Sequence, residues 1–219
     1  MMRLTAADGH EFQVFEAGNV NAGRGLVVLQ EIFGVNAHMR RVAERLAGFG
    51  YRVLAPALFD RAERDVELGY GPQDREKGLA LRAKIPEAAV LADIEATAIA
   101  LGGGRPAGVI GYCWGGSLAW LAATRSHRFK AAIGWYGGQI VNNRAEKPNC
   151  PVQLHFGAAD KSIPLSDVRA IEAAQPGLPV FIYPGADHGF GCEDRPSYNA
   201  RDAELAELRS LAFFAEHLR

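Results

Sequence analysis

Cysteine is scarce in this sequence. Three occur among 219 residues, at the unevenly spaced positions Cys113, Cys150 and Cys192. So few cysteines exclude a disulfide framework, and the spacing lacks the C-x-x-C pairs of a cysteine zinc site or a thiol-redox motif. We therefore expect a reduced, intracellular chain.

Long apolar runs and a strong net charge are also missing. No run approaches the roughly 18 apolar residues of a membrane helix, and the first residues lack the apolar core of a signal peptide. A formal net charge of -1 gives no reason to expect a nucleic acid or an anionic membrane as partner. We predict a soluble cytoplasmic protein and, since no extra arm or zipper is visible, a monomer.

Repeats, low-complexity tracts and linkers are absent as well. A chain of 219 residues that is 48% hydrophobic can bury a sizeable core. We therefore predict one domain over residues 1–219.

Short apolar runs alternate with longer segments of helical periodicity. This alternation predicts an α/β fold with a mostly parallel central sheet flanked by helices. The predicted strands are 11–17, 26–30, 51–55, 107–112, 131–136, 152–156 and 180–183. The predicted helices are 36–49, 73–84, 88–101, 117–124, 164–174 and 199–218, and the segment 58–72 is predicted to be irregular.

Residues 111–116 read Gly-Tyr-Cys-Trp-Gly-Gly and lie between a predicted strand and a predicted helix. A G-x-C-x-G turn in that context is typical of a nucleophile elbow, usually built around serine. Cys113 would lie at a helix N-terminus, where the dipole favours a thiolate. The alternative is an inert buried cysteine in a glycine-rich turn.

Two further polar residues, Asp160 and His188, each follow a late predicted strand. Because catalytic groups collect beyond the carboxyl ends of parallel strands, we expect both to lie near Cys113. The chain order of nucleophile, acid and histidine matches that of α/β-hydrolases. The alternatives are an ordinary turn aspartate and a surface histidine. Asp187 adjoins His188 and ranks below Asp160 as the acid that orients it.

With these residues, the chain resembles the dienelactone hydrolase (carboxymethylenebutenolidase) family over nearly its whole length. The resemblance is carried by Gln-Glu-Ile-Phe-Gly at 30–34, the cysteine elbow at 111–116, the loops 157–160 and 188–190, and Pro-Ser-Tyr-Asn at 196–199. It implies an α/β-hydrolase fold without a large lid domain. It also implies hydrolysis of a small-molecule lactone or ester through a thiol acyl-enzyme, with no metal or organic cofactor.

The resemblance also implies roles for individual residues. Glu31 would hold the resting thiol of Cys113 and be displaced when substrate arrives. His188 would stabilise the thiolate and later activate water, while Asp160 fixes its tautomer. The backbone amides of Ile32 and Trp114 would form the oxyanion hole.

The substrate is less defined by the sequence. Members of the family that cleave dienelactone carry two arginines for the substrate carboxylate. Arg75 matches the first, with a solvated helix arginine as the alternative. Cys192 stands where the second is expected, and Arg195 follows three residues later. The aromatic residues expected to line an apolar pocket are Trp114, Trp135, Tyr136 and Phe190, with core packing as the alternative reading.

Two other functions compete with a cysteine-dependent esterase or lactonase. One is a hydrolase-like protein that binds a small molecule without useful turnover, against which the complete set of Cys113, Asp160 and His188 argues. The other is a thiol-redox protein, which the absence of a C-x-x-C pair opposes.

Overall fold

The fold is built on one mixed sheet of eight strands. The computed structural model describes residues 1–102 and 104–219. Its strands are β1 (Met2–Thr5), β2 (Glu11–Ala17), β3 (Gly25–Leu29), β4 (Arg52–Pro56), β5 (Ala107–Tyr112), β6 (Ala131–Trp135), β7 (Val152–Gly157) and β8 (Val180–Tyr183). The described helices are α1 (Ala37–Gly48), α2 (Pro72–Ala83), α3 (Glu87–Leu101), α4 (Trp114–Arg125), α5 (Leu165–Ala174) and α6 (Ala200–His217).

The strand order is β1-β2-β4-β3-β5-β6-β7-β8. Strands β3 to β8 pair in parallel, and the antiparallel strands β1 and β2 form one edge. Every residue of β3, β4, β5, β6 and β7 is buried. Such burial requires helices on both faces of the sheet, and the predicted α/β architecture with a mostly parallel sheet is confirmed.

The helices flank the sheet in linked pairs. Helix α1 is joined to α6 by an ion pair of 2.7 Å between Arg45 and Glu207, and α3 is joined to α4 by Arg125 and Glu87. In the described part of the chain, the connections between strands carry no large lid domain. None of the described helices combines the length and the apolar character needed to cross a membrane.

The structure departs from the sequence predictions at several places, one of which is an unpredicted 3₁₀ helix, Ile140–Asn143. Strand β1 was not predicted, because four residues of alternating burial are too short to give a periodic signal. The segment predicted to be irregular contains a short 3₁₀ helix, Leu58–Arg61. Helix α4 begins at Trp114 rather than at residue 117, since Cys113 itself takes the position before its first turn.

This topology brings distant parts of the sequence to one edge of the sheet. Glu31, Cys113, Asp160 and His188 lie beyond the carboxyl ends of β3, β5, β7 and β8, respectively. Parallel pairing aligns these strand ends, so the four side chains are available to a common site.

Candidate active site

Cys113 sits in a strained turn between β5 and α4. Its φ of 55° and ψ of -112° lie in a region that costs a non-glycine residue about 1–3 kcal/mol. Its amide donates to the carbonyl of Trp135 at 2.9 Å. A Cβ atom at Gly115 would lie 2.3 Å from the backbone oxygen of Leu29. Glycine at position 115, two residues after the cysteine, therefore lets α4 approach the sheet.

The Cys113 sulfur, His188 and Asp160 form a continuous hydrogen-bonded series. His188 Nε2 lies 3.2 Å from Cys113 Sγ, and Nδ1 lies 2.7 Å from Asp160 Oδ2. The other carboxylate oxygen of Asp160 accepts from the amides of Ser162 at 2.7 Å and Ile163 at 3.1 Å. These bonds fix the carboxylate, which in turn fixes the tautomer and orientation of the imidazole.

The protonation of His188 follows from this arrangement. Burial of the imidazole opposes its positive charge, but a negative sulfur at Cys113 and the bond to Asp160 outweigh burial and raise the pKa of His188 to about 10. When the sulfur is negative, the imidazole is therefore protonated at neutral pH, and Nε2 donates to the sulfur. This geometry can hold an imidazolium beside a thiolate, the form in which a thiol is nucleophilic. Asp187 instead accepts from the His188 backbone amide at 2.6 Å.

Glu31 is fully buried beside these residues. Burial raises the pKa of Glu31, although the charges of Arg195 and His188 act to lower it. Its Oε1 lies 3.4 Å from Arg195 Nη1. The Arg195 guanidinium lies 5.9 and 5.8 Å from the ring centres of Phe33 and Tyr70. Arg195 is thus held against Glu31 by aromatic faces as well as by charge.

A cavity of about 200 Å³ opens at the sulfur of Cys113. His188, Ile32 and Trp114 line it, so both backbone segments expected to supply oxyanion donors border the cavity. The Trp114 amide is the first of α4 and has no acceptor within its helix. A carbonyl bound in this cavity can therefore be reached by a sulfur, an imidazole and backbone donors.

Three arginines line the same cavity: Arg75, Arg82 and Arg195. Arg75 and Arg82 lie on α2, seven residues apart and so on one helix face. Arg195 lies in the loop after β8. Nothing in the sequence of this loop indicates the direction of the Arg195 side chain. Sequence reasoning missed Arg82 and left Arg195 unplaced, and the two-turn spacing from Arg75 was the signal that could have identified Arg82.

The aromatic residues expected in an apolar pocket occupy different places. Trp114 lines the cavity. Tyr136 and Phe190 are fully buried and are not among its lining side chains. The Tyr136 ring lies edge-on to His188, with centres 5.3 Å apart, and Phe190 stacks on Trp135. These rings pack behind the imidazole because β6 and the loop after β8 are adjacent there, and Trp135 lies in the core.

Comparison with known proteins agrees with this fold. A Synechocystis sp. protein, described as a candidate carboxymethylenebutenolidase, is 38% identical to 89% of this chain, over 86% of its own length. Carboxymethylenebutenolidase of Pseudomonas putida is 33% identical, covering 97% of this chain and 94% of its own. A crystal structure of a candidate dienelactone hydrolase from Klebsiella pneumoniae superposes with a TM-score of 0.84 at 33% identity, over 97% of both chains.

The fold and these relatives define an α/β-hydrolase, an enzyme that hydrolyses ester or lactone bonds. More particularly, the model of the dienelactone hydrolase family matches residues 12–218. The chain belongs to that family.

Proposed function

We propose that this enzyme cleaves a lactone or ester through a thioester formed on Cys113, with His188 and Asp160 completing a catalytic triad. The observation that carries the proposal is the hydrogen-bonded series of 3.2 and 2.7 Å from the sulfur through the imidazole to the carboxylate. This series borders a cavity large enough for a small substrate and is made of the residue types that nucleophilic acyl transfer requires.

Acylation begins with attack of the Cys113 sulfur on the substrate carbonyl carbon. The new carbon–sulfur bond places a negative charge on the carbonyl oxygen, towards which the amides of Trp114 and Ile32 donate. Each such donor stabilises the transition state by about 3–4 kcal/mol. When the carbon–oxygen bond breaks, the leaving oxygen takes the proton from His188 Nε2. A lactone then remains attached as an open-chain thioester.

Deacylation uses the same imidazole as a base. After giving up its proton, His188 is neutral and accepts one from water, whose oxygen attacks the thioester carbon. The carbon–sulfur bond breaks, and the proton on His188 again faces a thiolate at Cys113. Asp160 holds the ring in one tautomer throughout. Its own position is supported by the backbone amides of Ser162 and Ile163.

Glu31 is proposed to govern when the thiol becomes reactive. In the resting enzyme its carboxylate would hold the thiol, and arrival of substrate would displace it. In the structure Glu31 pairs with Arg195, and the Cys113 sulfur contacts His188. These are the contacts expected once Glu31 has been displaced from the thiol.

We further propose that the substrate carries a carboxylate. Arg75, Arg82 and Arg195 bring positive charge to a cavity whose reacting group is an anionic sulfur. Guanidinium groups bind carboxylates by paired hydrogen bonds. Arg195 would contribute in place of the arginine that the family resemblance leads one to expect at Cys192.

The triad is tested with Cys113→Ala. We expect ester and lactone hydrolysis to fall by at least about 10⁴-fold, because a triad acts as a unit and the activity left without it comes from the oxyanion hole and binding. Thermal unfolding and circular dichroism should be unchanged. Cys150→Ala, which removes a thiol outside the cavity, is the matched control and should keep full turnover. Substantial hydrolysis by the folded Cys113→Ala variant would overturn the mechanism.

The carboxylate preference is tested with paired esters that differ only in a carboxylate. For Arg75→Ala, kcat/KM on the acidic ester should fall by about 10- to 100-fold, the equivalent of one charge-assisted hydrogen bond of about 1.5–3 kcal/mol. The neutral ester should lose little, and Arg75→Lys should recover part of the loss. Arg128→Ala, an exposed arginine outside the cavity, should affect neither ester. Equal losses on both esters would refute carboxylate binding.

A further inference from the structure

Three side chains of metal-ligating type meet beside the active centre: Glu31, His38 and Cys192. One donor atom from each lies within 4.8 Å of the other two. They come from the loop after β3, the first turn of α1 and the loop after β8. None exceeds 1% exposure, so the cluster is enclosed by the fold.

The polar atoms of this cluster are poorly satisfied. Among residues 1–102 and 104–219, neither ring nitrogen of His38 has a hydrogen-bond partner, and Glu31 Oε2 has none either. Leaving buried polar groups unpaired costs about 1–3 kcal/mol each. A neutral imidazole has one free lone pair, its other nitrogen carrying the proton, and that unpaired nitrogen points to a ligand that accepts the lone pair.

We propose that Glu31, His38 and Cys192 form a binding site for a divalent metal ion of the zinc class. Imidazole, thiolate and carboxylate are the three protein ligands that Zn²⁺ and Co²⁺ prefer. Hard ions such as Ca²⁺ and Mg²⁺ select oxygen ligands and are not expected at a site with sulfur and nitrogen. On binding, the thiol of Cys192 releases its proton to solvent, and all three groups donate lone pairs to the ion.

The geometry and charge of the cluster are compatible with such an ion. Bonds of about 2.0–2.3 Å separate ligand atoms by about 3.4–3.8 Å, so a contraction of about 1 Å from the present limit of 4.8 Å suffices. A thiolate at Cys192 and the carboxylate of Glu31 supply two negative charges to the ion, and Arg195 shares the second of them. Arg195 contacts Oε1 of Glu31, which leaves the unpaired Oε2 for the metal.

The proposed site shares Glu31 with the proposed mechanism, so a bound ion would hold this carboxylate away from the Cys113 thiol. An ion would enter past Arg195, which lines the cavity and contacts Glu31. Cys113 and His188 are themselves a thiol and an imidazole that could bind zinc. The test must therefore distinguish the proposed site from Cys113 and His188, and it must measure metal binding and not turnover.

The test uses the folded double variant Cys113→Ala/Cys150→Ser, in which Cys192 is the sole thiol. Titration with Co²⁺ should give one equivalent bound and the charge-transfer absorption of a cobalt–thiolate bond. Zn²⁺ should then displace Co²⁺ and abolish the band. Adding Cys192→Ser should remove the band, and adding His38→Gln should weaken binding by at least about tenfold, since even loss of an outer-shell partner costs 10- to 100-fold.

His217→Gln, on α6, serves as the matched histidine control and should leave the titration unchanged. Absence of the charge-transfer band from the double variant would overturn the proposal without need of any further substitution. Binding that keeps its strength after His38→Gln would also overturn it, because the ion would then lie elsewhere. Thermal unfolding of each variant verifies that a lost signal is not lost structure.

Discussion

At the scale of single residues, the site concentrates backbone strain. Cys113 and Tyr136 have φ values of 55° and 39°, although neither is glycine. They follow the adjacent strands β5 and β6, and each amide is held by a backbone bond to the next strand, to Trp135 and His155. Strain of about 1–3 kcal/mol at each residue persists only where surrounding structure fixes the backbone. The sheet thus directs the sulfur into the cavity.

The protonation of His188 depends on the residue that it faces. Burial lowers its pKa, and the charges at Cys113 and Asp160 raise it to about 10. In Cys113→Ala the sulfur charge is gone while burial remains, so the pKa of His188 should fall. Titration of the His188 ring by NMR measures this directly. The same fall is expected when the sulfur is acylated, and it would make the imidazole a base for deacylation.

Cys150→Ala is the control for this titration, because Cys150 contributes nothing to the pKa of His188. Its His188 should titrate as in the unchanged protein. A pKa near 10 that survived removal of the Cys113 sulfur would mean that Asp160 alone sustains the imidazolium, and the thiolate–imidazolium pair would lose its support.

The residues that sequence reasoning could locate are those attached to strand ends. Cys113, Asp160 and His188 were expected to lie together, and the structure has them in hydrogen-bond contact, while their catalytic roles stay predictions. Arg195 and Cys192 lie in a loop, where local sequence does not determine side-chain direction. The meeting of His38 with Cys192 depends on how α1 packs, which no spacing along the chain records.

At the scale of elements, close backbone packing forms the cavity wall. Helix α2 carries Arg75 and Arg82 to the cavity, and Gly78 lies between them on the chain. A Cβ atom at Gly78 would lie 1.9 Å from the backbone oxygen of Ile32. The absence of a side chain there lets the helix rest on the segment that is proposed to stabilise the oxyanion.

This packing predicts opposite effects for two glycine substitutions in helices. Gly78→Ala should destabilise the protein by about 1–3 kcal/mol through overpacking, despite the better helix propensity of alanine, and should lower kcat by shifting Ile32. Gly48→Ala in α1, where nothing lies within 4 Å, should stabilise by about 0.5–1 kcal/mol. Urea unfolding measures both. Stabilisation by Gly78→Ala would show that α2 does not bear on Ile32.

For helix α2, the sequence predicts the bounds of the helix but not its orientation. Residues 73–84 were predicted as helix and Pro72–Ala83 is observed, because Pro at the first turn and the following residues are locally helix-favouring. The face that α2 turns towards the cavity was not predictable, since it is fixed by the contact of Gly78 with a loop 46 residues earlier in the chain.

At the scale of the whole molecule, the parallel sheet assembles residues that are far apart in sequence. Glu31 and Arg195 are 164 residues apart and in contact. The apolar strand pattern predicted the parallel sheet, because strands buried on both faces need uniform side chains. The antiparallel edge was only half predicted, since β1 is short and half exposed. The strands that precede the site residues, β3, β5, β7 and β8, do not include β1 or pair with it, so this omission did not affect the prediction of the site.

The cost of keeping Glu31 buried should be visible in the stability of the whole protein. Folding raises the pKa of Glu31 above the ordinary value of 4.5 because burial disfavours its charge. The native state then binds the proton more tightly than the unfolded state. Its contribution to the free energy of unfolding is therefore full below pH 4.5 and is lost as the pH rises through the raised pKa.

Glu31→Gln removes this titration, so the variant should gain stability relative to the unchanged protein as the pH rises from about 4 to 8. Urea unfolding across that range measures the difference, with Glu44→Gln, an exposed glutamate on α1, as the control whose difference should stay flat. A Glu31→Gln variant that instead loses relative stability with rising pH would mean that Arg195 holds the carboxylate ionised more strongly than burial opposes it. The sign of this one slope therefore decides whether Glu31 is a strained charge, ready to change partners, or half of a stable ion pair.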